Sequence, residues 1–166
     1  MAKKVSLILS HWYHLIEGFQ VSPSEFYEAV EEAVLRRNIP NLKLSRVTYR
    51  EGGPLSPKRE YLRVERKEYL FDICCAPFGA GFFVSWWLGE APGWLTGIIA
   101  SIPIINHLFF RFFRPLTYYQ LDTALMFQES VHAAVLEVID QMMEAKGLRL
   151  LSETERKPIL REIFQK

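Results

Sequence analysis

Apolar residues recur every three to four positions between residues 22 and 37, which is the spacing of one face of an amphipathic helix. The signals of a helix N-terminus stand directly before this stretch. Ser22 is placed as the N-cap, Pro23 occupies the first helical position, and Glu25 is placed to complete a capping box. The sequence therefore predicts a helix over residues 22–37. Its apolar stripe consists of Phe26, Val30, Ala33 and Val34.

The hydrophobic period changes to two after residue 41, which is typical of strands with one buried face. Glycines and prolines separate the alternating stretches, as expected for turns. Since sequential strands commonly pair, the pattern predicts an antiparallel meander of about four strands. The predicted strands cover residues 42–49, 60–66, 69–75 and 82–88.

The C-terminal third of the chain is predicted to be mainly helical. Residues 116–120 fit a last short strand, and Asp122 or Thr123 is placed to cap a long helix. This helix is expected to reach Lys146 and to stop at Gly147. A capped N-terminal helix, a meander and a long C-terminal helix together predict an α+β fold.

Residues 92–113 carry no charged side chain before Arg111. A helix of roughly 20 residues is about 30 Å long, which matches the hydrocarbon core of a bilayer. We therefore expect an apolar helical segment that embeds in a membrane, although Pro103, Asn106 and His107 oppose insertion. The membrane-embedding side chains are predicted to be Trp94, Leu95, Ile98, Ile99, Ile102, Ile104, Ile105, Leu108, Phe109 and Phe110.

Aromatic and basic residues flank this segment as interfacial anchors would. The predicted anchors are Trp86, Trp87, Arg111 and Arg114. The two arginines place the C-terminal side in the cytoplasm, and a head without an export signal is expected to remain there as well. A segment that enters and returns, bent at Gly97 or Pro103, satisfies both conditions. A single span, a buried core helix and an apolar oligomer interface are the alternatives.

The predicted organisation follows from this segment. Residues 1–91 form an α+β head, residues 92–113 form the membrane-embedding segment, and residues 114–166 are expected to pack with the head as one domain. The 20 basic and 19 acidic residues leave a formal charge of +1, so we expect no nucleic-acid partner. Cys74 and Cys75 are adjacent in a predicted strand, which indicates neither a disulfide framework nor a functional pair.

Two groups of polar residues have spacings that metal sites use. Glu129 and His132 share a helix face at the spacing of one half of a di-iron site, but the chain holds no second copy. His11, His14 and Glu17 would spread too widely around a helix to converge on one ion. We therefore predict no metal and no cofactor.

Asp72 interrupts an apolar strand and is expected to pair with Arg63 or Arg66 across a hairpin. No catalytic motif is recognisable. An enzymatic function would require His11, His14, Asp72 and His132 to converge in space. The leading hypothesis is a membrane-associated interaction or structural protein at the cytoplasmic face, with lipid and a protein partner or second copy as partners. The alternative is a soluble α+β module that binds an apolar, lipid-like ligand in an aromatic-lined pocket or uses the apolar segment as an oligomer interface.

Overall fold

The computed structural model describes residue 5 and residues 7–50, 58–91 and 117–160. The segment 92–113 lies outside the described residues, and so do all ten predicted membrane-embedding side chains, Arg111 and Arg114. The elements in chain order are β1 (Leu7–Glu17), α1 (Pro23–Arg36), β2 (Leu42–Arg50), β3 (Lys58–Arg66), β4 (Tyr69–Phe78), β5 (Gly81–Glu90), α2 (Tyr118–Ala145) and β6 (Ile159–Leu160).

The described strands form one antiparallel sheet in the order β2-β3-β4-β5-β1-β6. The α+β class with an antiparallel sheet is confirmed, but the predicted architecture is wrong because the sheet has six strands and begins before the first helix. β1 was missed because its two faces do not differ in polarity: Tyr13 and Leu15 are exposed, whereas Ser10 on the opposite face is buried. The alternation of apolar and polar residues by which a strand is recognised is therefore absent.

Both helices pack on one face of the sheet, which we call the inner face. Phe26 of α1 meets Phe82 edge to face at 5.6 Å between ring centroids, and Phe127 of α2 meets Phe71 in the same way at 6.1 Å. All four rings are at most 2% exposed. Apolar side chains of the inner face and the two helices thus form the core.

α1 begins at Pro23 as predicted, with Ser22 as its N-cap residue. The Ser22 side chain makes no capping hydrogen bond, so the predicted capping box is wrong at this helix. The helix instead depends on packing, because its apolar stripe is buried against the sheet.

α2 begins earlier than predicted, and residues 118–120 of the short strand expected at 116–120 belong to this helix. Thr117 caps it: its hydroxyl accepts from Gln120 N, and the Gln120 side chain accepts in return from Thr117 N. At the other end Gly147 has φ of +67°, and Leu148 N donates to Met143 O at 2.9 Å, so the predicted stop is confirmed.

In the part of the chain that the structure describes, no helix is both long and apolar enough to cross a membrane. The predicted fold with a membrane-embedded helix is therefore not found there.

Candidate functional site

The two flanks of the apolar segment meet at the turn between β3 and β4. Ala91, the first residue after β5, donates its backbone N–H to Glu68 O at 2.8 Å. The hydroxyl of Tyr69 donates to Gln120 O in the first turn of α2 at 2.9 Å. Because Glu68 and Tyr69 are consecutive, the chain leaves the sheet and returns to it at the same end.

Five exposed apolar or aromatic side chains lie near this end of the molecule. Ile8 lies opposite Gly89, and Val5 packs over the same glycine. Tyr118 and Tyr119 begin α2 and are 88% and 74% exposed. With Trp87 of β5, which is 40% exposed, these residues form a group that we call the apolar rim. Val5, Ile8 and Trp87 lie near the last residues of β5, and Tyr118 and Tyr119 directly follow Thr117, so both groups are close to a described flank of the segment.

Neighbouring residues of a strand point to opposite faces, and this separates the two tryptophans that were predicted as anchors. Trp87 points to the outer face, away from the helices, where its ring stacks on His11 at 4.7 Å between centroids. Trp86 points to the inner face and has no exposed surface. From that position the Trp86 ring cannot contact a membrane surface.

The Trp86 indole is bound by a buried histidine of α2. Its Nε1 donates to Nδ1 of His132 at 2.9 Å, while Nε2 of His132 lies 2.6 Å from Arg156 O. A carbonyl oxygen only accepts, so Nε2 carries the proton and the ring is neutral. Burial lowers the pKa of His132 below its usual range. His132 therefore fixes the position of core groups.

The histidines of β1 do not converge either. His11 lies on the outer face beside Trp87, and His14 points to the inner face, 3.7 Å from the Glu155 carboxylate. Among the described residues no three His, Cys, Asp or Glu side chains are arranged to hold a metal ion. The enzymatic hypothesis also required Asp72 near these histidines, but Asp72 forms an ion pair with Arg63.

Asp72 forms a buried ion pair on the outer face, and the predicted pairing with Arg63 is confirmed. Nε and Nη2 of Arg63 donate to Oδ1 and Oδ2 of Asp72 at 2.7 and 2.6 Å. The Tyr49 hydroxyl donates to Oδ2 at 3.0 Å and accepts from Arg63 Nη2. Burial, followed by the charge of Asp72, raises the pKa of Tyr49 to about 12. Tyr49, Arg63 and Asp72, which we call the triad, thus provide hydrogen-bond partners for one another.

Cys74 and Cys75 are both free and buried, and they point to opposite faces of β4. Burial raises the pKa of both thiols, that of Cys75 to about 12. Thiols with raised pKa values are protonated at neutral pH and are poor nucleophiles.

The sequence analysis missed Val5 and Ile8 of the apolar rim. The apolar run at residues 7–9 could have indicated a strand there, but it is too short to show which residues point to which face. Comparison of the chain with models of protein families, with curated proteins and with solved structures found no match.

Proposed function

We propose that this protein is a membrane-associated interaction protein that lies on one surface of a bilayer, with the apolar rim and segment 92–113 directed toward lipid. The observation that carries the proposal is that exposed apolar and aromatic side chains lie beside both described flanks of the apolar segment. Large exposed apolar patches mark membrane or protein contacts. Tryptophan and tyrosine favour the level of the lipid head groups because their rings are amphipathic.

The positions of the flanks limit how the segment can meet lipid. Ala91 and Gln120, which flank the segment, are hydrogen-bonded to the consecutive residues Glu68 and Tyr69, and this favours contact with one side of a bilayer over a single crossing. Two crossings would need about 60 Å of path, whereas roughly 25 helical residues provide about 37 Å. An extended chain would be longer, but its backbone would lack hydrogen-bond partners in lipid. We therefore propose contact with one leaflet only.

The test is flotation of the full chain with phosphatidylcholine vesicles. Replacement of two rim residues together, Trp87→Ser and Tyr118→Ser, should weaken binding about tenfold or more, a change of ~1.4 kcal/mol. The matched control is Phe78→Ser, because Phe78 is 72% exposed but lies at the other end of β4. Ile99→Arg should abolish binding, since a charge within the segment costs about 2.5–3.5 kcal/mol on insertion scales. Wild-type protein that fails to float would refute the proposal.

A second candidate is a soluble module in which the apolar segment contacts protein. Leu70 and Cys74 point to the outer face and lie outside the core formed with the helices, yet they are 0% and 1% exposed. The outer face is therefore covered at these two residues, and this favours a role in which the apolar segment packs against the sheet. Monodisperse wild-type protein in detergent-free buffer that does not float would select this candidate.

A further inference from the structure

β2 is a terminal strand of the sheet, and only one of its two sides pairs with a described strand. β3 pairs with β2 over all nine of its residues, and no other strand in the described part of the chain pairs with the second side. Alternate residues of a strand in an antiparallel pair direct both backbone groups away from the partner. About half of the N–H and C=O groups of β2 therefore point to this second side, which we call the β2 edge.

The hairpin of β2 and β3 is basic, unlike the rest of the chain. Residues 42–66 contain seven basic and three acidic residues, a formal charge of +4, whereas the other residues include 13 basic and 16 acidic ones. β2 itself contains Lys43, Arg46 and Arg50 and no acidic residue. Nε of Arg46 is paired with Glu31 at 2.7 Å. Lys43 and Arg50 are both exposed, so positive charge lies toward each end of the strand.

The two faces of β2 differ beside this edge. Leu42 and Leu44 point to the inner face, where they are only partly buried and pack at the margin of the core. Lys43 points to the outer face, beside a polar cavity of about 410 Å³. The cavity is lined by Asn41, Lys43, Glu65 and Lys67. An added strand would place alternate side chains beside the leucines, where apolar residues fit, and the others beside Lys43, where a carboxylate fits.

The charge of β2 disfavours a second copy of the chain at the β2 edge. Two β2 strands side by side would bring the basic residues of one copy next to those of the other, with no acidic residue in either strand. Like charges on adjacent strands destabilise their pairing, and basic residues on an edge strand oppose pairing between copies. A strand that carries carboxylates is attracted by the same charge.

We propose that the β2 edge binds an extended acidic segment of a partner protein, which adds to the sheet as a further strand. Backbone hydrogen bonds supply affinity in strand addition, and alternate side chains supply specificity. Because every described pairing in the sheet is antiparallel, we place the segment antiparallel to β2. Its carboxylates then face Lys43 and Arg50, and its apolar side chains cover Leu42 and Leu44.

The test measures binding of a labelled peptide to the full chain by fluorescence anisotropy in buffer without vesicles. The peptide Glu-Val-Thr-Val-Thr-Ser-Val-Glu-Val has the length of β2 and, in antiparallel register, places its two glutamates opposite Arg50 and Lys43. Lys43→Glu and Arg50→Glu together should weaken its binding by about tenfold or more and should strengthen binding of the same peptide with lysine in place of both glutamates. The matched control, Lys146→Glu with Lys157→Glu, changes the charge equally at exposed positions outside β2 and β3.

Hydrogen bonding to the β2 edge is tested by N-methylation of alternate peptide residues. Methylation in one frame should abolish binding because the donors that face β2 are lost, and methylation in the other frame should not. Hydrogen–deuterium exchange in α2 between Val131 and Ile139 should be the same in all protein variants, which shows that the core is intact.

The proposal is overturned if the wild type does not bind the glutamate peptide, binds the glutamate and lysine peptides equally, or responds equally to methylation in both frames. It is also overturned if protection of β2 amides rises with protein concentration alone, which would assign the edge to a second copy. Binding to phosphatidylglycerol vesicles through Lys43 and Arg50, with no binding of the peptide, would assign these residues to lipid and overturn it as well. Because the peptide assay contains no vesicles, its result is independent of the flotation of the protein.

Discussion

Asp72→Ala should be among the most damaging single substitutions in this protein. The Arg63 side chain has no exposed surface and the Asp72 side chain is only 7% exposed, so the variant leaves a buried guanidinium without its carboxylate. Loss of one partner of a buried ion pair costs about 3–5 kcal/mol. The comparison is Glu137→Ala, which removes the partner of Arg36 and Arg37 on the surface. Those groups are at least 34% exposed, and such pairs contribute about 1 kcal/mol or less.

The free energy of unfolding is measured by urea denaturation at pH 7 for the wild type and both single variants. The double replacement Arg63→Leu with Asp72→Leu should recover most of the loss, because an apolar pair does not carry the desolvation cost of a buried ion pair. Equal losses for Asp72→Ala and Glu137→Ala would refute this account of the triad. A double replacement as unstable as Asp72→Ala would show that the loss arises from packing instead of charge.

The remaining predictions concern pH, thiols and caps. The pKa of His132 is lowered on folding, so its contribution to stability is complete above about pH 6.5 and is lost as the pH falls toward the folded-state pKa. The urea midpoint should therefore be lower at pH 5.5 than at pH 7.5, and this difference should be smaller in His132→Gln. Cys74 and Cys75 should react slowly with a thiol reagent in the native protein and quickly in urea; a fast native phase would contradict their burial. Thr117→Ala should cost about 1 kcal/mol in urea denaturation, whereas Ser22→Ala should cost only a few tenths because its hydroxyl caps nothing; equal costs would contradict the cap assignment.

Local patterns predicted the elements that turn residues separate clearly in the sequence. α1 and the strands β2 to β5 were predicted close to their observed bounds, although β4 and β5 are buried on both faces and do not alternate. β1 was missed since its exposed face carries Tyr13 and Leu15 while its buried face carries Ser10, so polarity does not distinguish the two faces. β6 has two residues, too few to show any period. Pairing with β1 makes it a strand, and that pairing joins residues about 150 positions apart.

The functional roles of single residues depended on contacts that no local pattern contains. The alternation of a strand implies that Trp86 and Trp87 point to opposite faces, but not which of them is buried. The distant His132 helps to hold Trp86 in the core, because its imidazole accepts a hydrogen bond from the indole N–H of Trp86. The pairing of Asp72 with an arginine was predictable, since Arg63 lies across a two-residue hairpin turn and an apolar strand provides few other partners.

The two candidate functions predict different effects of an Ile99 substitution on stability. The reason is that the core between the inner face and the helices is built from described residues of the sheet, α1 and α2. If lipid is the partner of segment 92–113, a charge at Ile99 removes vesicle binding and leaves the free energy of unfolding in buffer unchanged. If the segment covers the outer face of the sheet, the same Ile99→Arg change introduces a charge into an apolar contact and lowers the free energy of unfolding by several kcal/mol. Urea denaturation of this one variant therefore gives different results for the two candidates, and flotation of the wild type gives the matching comparison.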